Sequence, residues 1–346
     1  CRAKIRTILA FFYTGFLHNM ENKIILSQKM SEWLQIDTVI PDEMSGKRLD
    51  QALAVLLPEH SRARLQGWIR NGFVQIDKKP MRPRDKVRGG EQVEIRAEIE
   101  PQNSASPEDI LLEIVFEDEH LIIINKPAGL IVHPGAGNPQ HTLMNALLHH
   151  DQQLEQVPRA GIVHRLDKDT TGLLVIARTP QSHTYLVEQL QTRNIHREYE
   201  TIVNGVMTAG GTIEQPIGRH PRHRTRMAVV KNGRPATTHY RIIKKYRHHT
   251  RLQVNLETGR THQIRVHLTW YHYPIIGDPV YGTMKQLAKG MDPNLANIIT
   301  AFPRQALHAR AIKLVHPQSN ELMEWKASIP EDMVALISAL DADRKQ

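Results

Sequence analysis

Gly161–Arg178, GIVHRLDKDTTGLLVIAR, sets a run of charged and hydroxyl side chains between two apolar pieces. Leu173-Leu174-Val175-Ile176 is short and apolar throughout, so Leu173–Ala177 reads as a buried strand. Ile162-Val163 on the other side is apolar as well, which makes the polar stretch a loop at the edge of a buried sheet. Reactive groups are commonly mounted on such loops, because a rigid scaffold holds them. Asp167 and Asp169 stand two apart, so on extended chain both carboxylates would face one side. On spacing alone Asp167 is equally a capping or turn residue.

Outward from this loop the elements are mixed. Leu121–Asn125 is a second buried-type strand, closed by Lys126-Pro127, and Leu143–His150 and Gln181–Gln191 carry helical spacing. Glu198–Val203, His239–Ile243, Leu252–Leu256 and Ile264–Leu268 follow as strands. Strands outnumber helices after residue 195 and no βαβ alternation is regular. The expected class is α+β with a mixed, largely antiparallel central sheet rather than a doubly wound parallel one. Glu257–Leu268, ETGRTHQIRVHL, places Arg260 and Arg265 beside the last strand. They are either surface arginines on a sheet edge or include one that pairs with a buried carboxylate and keeps it ionised.

Toward the N-terminus, Arg48–Leu57 and Arg62–Arg70 read as two short helices, the second with Ser61 as its N-cap and Asn71-Gly72 as its end. Phe73–Ile76 and Val93–Ile95 read as strands, giving a small basic module over residues 44–97. Arg62, Arg64 and Arg70 share part of one helix face. Residues 98–109 are a polar, Pro-containing linker, 110–335 a larger domain and 336–346 a tail. Residues 1–29 read as an upstream or non-native extension, with Met30, and after it Met20, as the natural start. The apolar stretch Thr7–Leu17 falls well short of a membrane span and lacks a cleavage pattern.

A net charge of +9 over 346 residues points to a polyanionic partner, and its distribution says more than its size. Residues 44–97 are net +6, residues 98–214 net −9, and residues 215–256 carry 11 basic groups and no acid. Arg219, Arg222, Arg224, Arg226, Lys231 and Arg234 lie among Gly and Pro, as in a loop that can follow a phosphate backbone. The single cysteine, Cys1, excludes a disulfide framework and a Cys-based metal site, and fits a reducing, cytoplasmic setting. No Walker loop, dinucleotide fingerprint or nucleophile-elbow serine is present. The 20 histidines form no His-Glu-x-x-His pattern, so neither metal nor cofactor is expected.

Gly161–Arg178 resembles the signature of the RluA/RluD family of pseudouridine synthases. The resemblance continues, in order, through Lys126–Gly137 (KPAGLIVHPGAG), Arg197–Tyr199 (REY), Gly259–His267 (GRTHQIRVH), Gly277–Gly282 (GDPVYG) and Leu307–Ala309 (LHA). Residues 44–97 resemble the S4 RNA-binding domain that precedes many such catalytic domains. The family isomerises uridine in RNA by cleaving the N1–C1′ bond, turning the base and rejoining it through C5. The resemblance implies Asp167 as the catalytic carboxylate, acting at C1′ as nucleophile or at C2′ as base, without a cofactor. It further implies Tyr199 and Ile264 against the uracil, Arg165 beside the flipped nucleotide and Arg265 paired with the carboxylate. Arg62, Arg64 and Arg70 in the S4-like module and Arg222, Arg224 and Arg226 in the acid-free block are the expected RNA contacts. The implied partner is structured RNA, the 23S rRNA of the large subunit and its helix 69 stem-loop in particular, bound by a monomer with no membrane. Alternatives are a non-catalytic S4-type ribosome-assembly protein, or the same reaction on tRNA or other rRNA sites. A metal-dependent nuclease lacks the necessary carboxylate or histidine cluster.

Overall fold

The protein is described from a computed structural model, which covers residues 4–8, 33–58, 60, 62–98, 105–135, 138–223, 225–282, 287 and 290–344. Met20, Met30, Ser61, Arg224 and all but Lys4–Ile8 of the expected N-terminal extension lie outside these residues. The chain divides into two compact units, Cys1–Gln102 and Asn103–Gln346.

The first unit contains β1 (Lys4–Ile8), β2 (Trp33–Val39), α1 (Leu49–Leu56), α2 (Arg62–Arg70), β3 (Val74–Ile76), β4 (Lys79–Pro80) and β5 (Gln92–Glu98). Its strands form one antiparallel sheet in the order β1-β2-β5-β3-β4. Leu49, Leu53, Leu65, Trp68 and Ile69 from the helices meet Ile36, Val74, Val93 and Ile95 from the sheet in a single apolar core. One charge is set among them: Asp50 is fully buried and accepts from Arg48 (2.9 and 2.9 Å), Arg62 (3.1 and 2.8 Å) and Gln66 (2.6 Å). This carboxylate joins α1 to α2.

The second unit is built on β6 (Ile114–Glu117), β7 (Leu121–Lys126), α3 (Leu143–His150), β8 (Thr171–Ala177), α4 (Pro180–Gln191) and β9 (His196–Asn204). It continues through β10 (Gly211–Glu214), β11 (Ile217–Arg219), β12 (Met227–Val229), β13 (Thr237–Lys245), β14 (His249–Leu256), α5 (Gln263–Trp270) and α6 (Pro293–Ala301). The last elements are β15 (Leu307–Val315), β16 (Leu322–Lys326) and α7 (Glu331–Arg344). The central sheet runs β10-β13-β14-β9-β15-β8-β7-β6, with β16 also on β15, and among the described residues its one parallel pair of strands is β15 with β8. The α+β, mixed and largely antiparallel architecture read from the sequence is the one found. Period-two alternation places Ile122, Ile124, Leu174 and Ile176 in one core and Leu121, Ile123, Leu173 and Val175 in another, so both faces of the sheet are covered. Gly172 stands at φ +112°, and a Cβ there would lie 2.3 Å from the Ala309 carbonyl; only glycine lets β8 approach β15 so closely.

Three expectations change. Ile264–Leu268 is not a strand but part of helix α5. Its apolar residues alternate, yet Gln263, Arg265 and His267 between them are buried too, each held by specific partners. The helix therefore has no polar face to advertise its period. The acid-free block is not only a loop: Ile217–Arg219 and Met227–Val229 pair as a short antiparallel hairpin. Residues 336–344 of the expected tail are helical instead, within α7, which buries Met333, Leu336 and Leu340 in the main core.

Burial alone would raise the Asp50 carboxyl, but the bonds from Arg62, Arg48 and Gln66 outweigh it and bring its pKa from 3.8 down to about 2. A folded pKa below the unfolded one stabilises at pH above the unfolded value and is lost as pH falls through the folded one. Asp50 therefore contributes about 2 kcal/mol above pH ~4 that fades between pH ~4 and ~2. Asp50→Ala should cost the small unit about 2 kcal/mol at neutral pH, the freed arginines being able to rehydrate. Hydrogen exchange of the α1 and α2 amides reads both effects; unchanged protection in the variant would contradict this account.

Candidate active site

The loop before β8 is pinned from several sides. Lys126, at the end of β7 and 1% exposed, donates its Nζ to the carbonyls of Pro127 (2.6 Å), Leu130 (2.9 Å) and Lys168 (2.9 Å). Burial lowers its pKa to about 7, against the opposing pull of Asp169 and Asp167. From the far side Arg304 gives Nη1 to the Asp169 carbonyl (3.3 Å), while its Nε and Nη2 grip Asp332 on α7 (2.7 and 2.8 Å). Gln305 donates to Thr170 Oγ1 (3.0 Å), and His308 Nδ1 meets Thr171 Oγ1 (2.9 Å). Asp167 and Asp169 thus sit on a turn rather than on extended chain.

Arg265 on α5 gives Nη1 to Asp167 Oδ2 at 3.0 Å. The rest of its guanidinium is claimed by Asp278, from Nε at 2.7 Å and Nη2 at 2.9 Å. Asp278 is anchored in turn by the backbone N–H groups of Val280 and Tyr281, both at 2.9 Å. Burial would lower the Arg265 pKa, but the bonds and charge of Asp278 and then of Asp167 raise it above the ordinary value. Burial would likewise raise Asp278, and Arg265 with the two amides brings it below its ordinary value. Bidentate pairing fixes the guanidinium plane, so that Nη1 is directed at Asp167.

Asp167, Arg165, Tyr199, Ile264 and Arg265 all line one open cavity of about 570 Å³. Tyr199 on β9 and Ile264 on α5 are 5% and 4% exposed and form its apolar wall. Burial, together with the negative charge of Asp167 and against the pull of Arg197, raises the Tyr199 pKa, so the phenol stays protonated. Arg165 is exposed at the mouth. The cavity offers a flat aromatic, a branched aliphatic and one carboxylate held by a cation, which suits a planar base attached to a sugar. Among the described residues no cluster of histidine, cysteine and carboxylate side chains could hold a metal.

Sequence reading did not assign roles to Lys126, Asp278, Tyr281 or His262, although all lie in motifs it quoted. His262 Nε2 is 3.8 Å from Asp167 Oδ1, and its Nδ1 is 2.8 Å from the Tyr281 hydroxyl. The basic residues divide. Arg62 is engaged by Asp50, Arg64 lies 5.7 Å from the Trp68 ring centroid and Arg70 donates to Gln66 (3.2 Å). Arg222 and Arg226 are exposed between the strands of the hairpin, and Arg224 lies outside the described residues.

Residues 120–270 match the family model described as RNA pseudouridylate synthase, and residues 47–93 match that of the S4 domain. The chain is 52% identical over 316 residues to the ribosomal large subunit pseudouridine synthase D of Pseudomonas aeruginosa, covering 91% of this chain and 99% of the relative. It is 53% identical over 315 residues to the protein of that description from Escherichia coli K12, covering 91% and 97%. The solved human RNA pseudouridylate synthase domain containing 4 aligns at a TM-score of 0.52 and 27% identity, over 66% of this chain and 93% of that one. The chain belongs to the RluA/RluD family of RNA pseudouridine synthases.

Proposed function

We propose that this chain isomerises uridine to pseudouridine in 23S rRNA, at the helix 69 stem-loop, working as a cytoplasmic monomer with Asp167 as its catalytic carboxylate. The observation that carries the reading is the Asp167 carboxylate in the cavity wall, held by Arg265 beside Tyr199 and Ile264. A base buried in structured RNA must leave its stack to reach such a cavity. Tyr199 and Ile264 would then replace the lost stacking, and Arg165 at the mouth would occupy the space near the vacated position. Asp167 would act at the sugar; attack at C1′ and removal of the C2′ proton both start from the same carboxylate oxygen. The freed uracil turns between the two apolar walls and rejoins C1′ through C5, which then loses its proton while N1, released from the sugar, gains one. The large-subunit substrate rests on the names of the similar Pseudomonas and Escherichia proteins. Among the described residues no helix is long and apolar enough to cross a membrane.

RNA binding would draw on Arg62, Arg64 and Arg70 of the S4 unit and on the hairpin arginines. A non-catalytic assembly role would leave the Asp278–Arg265–Asp167 chain without a purpose.

Asp167→Asn should abolish pseudouridine formation while leaving RNA affinity within a few-fold, since the amide keeps the shape and loses the charge. Mapping rRNA pseudouridines by carbodiimide labelling and primer extension in cells lacking the protein, then restored with wild type or variant, decides both activity and target. Full activity in the variant would refute the assignment, and unaltered rRNA in the deletion strain would refute the substrate. Replacing Arg222, Arg224 and Arg226 together by Ala should weaken RNA binding and reduce the salt slope by up to about 3. An unchanged slope would remove the hairpin from the RNA interface.

A further inference from the structure

The Tyr281 hydroxyl sits between two groups whose hydrogen-bond roles are unequal. The Met227 backbone N–H on β12 reaches it at 2.8 Å and can only donate. His262 Nδ1 reaches it at 2.8 Å and can donate or accept. The hydroxyl carries one proton, and among the described residues it has no other side-chain partner. If Nδ1 carried the ring proton, the phenol proton would have no acceptor among the described residues, and the bare Nε2 lone pair would face the Asp167 carboxylate. Both penalties vanish in one arrangement. Met227 N–H donates to the Tyr281 oxygen, Tyr281 O–H donates to His262 Nδ1, and the ring proton stays on Nε2, directed at Asp167.

We propose that Tyr281 is a positioning residue that fixes His262 as its Nε2–H tautomer, so that His262 serves as a second donor facing Asp167 beside Arg265. The proposal rests on Asp167 as the reacting carboxylate. At 3.8 Å the Nε2–Asp167 contact is longer than a hydrogen bond, and such contacts commonly tighten when substrate closes the site. His262 is held for this role by an unusual backbone: it is the N-terminal cap of α5 at φ 57°, in the left-handed region. Tyr281 is held by its own amide to Asp278 and by the Arg265 guanidinium 5.0 Å from its ring centroid.

The charged and titratable groups facing His262 are Asp167 from the loop, Arg265 on its own helix, Arg165 from the mouth, Asp278 from the turn behind it and Tyr281. Burial lowers the His262 pKa, with Arg265 and Arg165 adding to the effect and Asp167 and Asp278 opposing it. The ring is therefore neutral at pH 7, the state in which a tautomer has meaning. Burial also raises the Tyr281 pKa, which keeps the phenol proton in place.

The first donor of the chain comes from the basic hairpin. The Met227 amide fills one lone pair of the Tyr281 oxygen and leaves the hydroxyl proton to be given to His262 Nδ1.

Two experiments test this. Long-range 1H–15N spectra of the free, full-length protein, labelled in its histidine rings, should show His262 with Nε2 protonated and Nδ1 bare. In Tyr281→Phe both tautomers should appear and the His262 pKa should rise. A wild-type ring protonated on Nδ1, or a Phe variant with unchanged populations, would overturn the proposal. This readout needs no RNA, so it stands apart from any failure of the functional reading. In steady-state assays Tyr281→Phe should lower kcat about tenfold with KM for RNA unchanged. Because a glutamine amide can stand where Nε2–H stood, His262→Gln should retain more activity than His262→Asn. A merely structural role gives the opposite order, since Asn tolerates the left-handed backbone better. Asn ahead of Gln would count against the donor role.

Discussion

One guanidinium between two carboxylates organises the catalytic unit. Arg265 is buried, and a buried cation must be matched or it drives the surrounding structure apart. Asp278 supplies a full bidentate match from a turn whose own amides neutralise it further. The third contact, to Asp167, is then a directed residual interaction rather than the main neutralising one. This division matters for the carboxylate proposed to react. A carboxylate gripped on both oxygens by one arginine would have little freedom, whereas Asp167 has Oδ2 bound and Oδ1 turned toward His262 and the cavity.

The same logic of buried polar groups explains the rigidity of the loop. Lys126, Arg304 and Gln305 would each be expensive to bury alone, and each is satisfied by a carbonyl or hydroxyl of residues 168–170. Their stabilisation and the loop's conformation are one set of interactions. The close approach of β8 and β15, which glycine at 172 permits, brings these partners into range.

Strands β7, β8, β9, β13 and β14 were legible from simple periodicity, whereas β6, β10, β15 and β16 were not assigned. Leu121–Lys126 and Thr171–Ala177 are apolar on both faces, and both faces are covered. The helices α1 to α4 were legible from spacing and from stops such as Pro58 and Asn71-Gly72. Helix α5 was not, because its polar residues are buried for the sake of partners far along the chain; local pattern carries no trace of Asp278 or Thr238. The hairpin at Ile217–Val229 was hidden by two strands of only three residues each. Helix α7 has its apolar residues docked on the core, and its sequence period alone did not reveal that. Of the site, Asp167 stood out as charge in an apolar setting, and its partners were reached through family resemblance. The ion chain behind Arg265 and the hydroxyl behind His262 needed three dimensions, since spacing says nothing of which donors must share one acceptor.

The parallel pairing of β8 with β15 has a consequence for biosynthesis. The loop bearing Asp167 is complete by residue 171, yet its supports at Arg304, Gln305 and His308 come some 135 residues later, and Arg304 itself needs Asp332. Such long sequence separations delay formation of the contact until nearly the whole chain is available. A ribosome-bound nascent chain would therefore carry a folded first unit well before it carries an ordered catalytic loop. Competence to recognise RNA and competence to alter it would be acquired at separate times during synthesis, in that order.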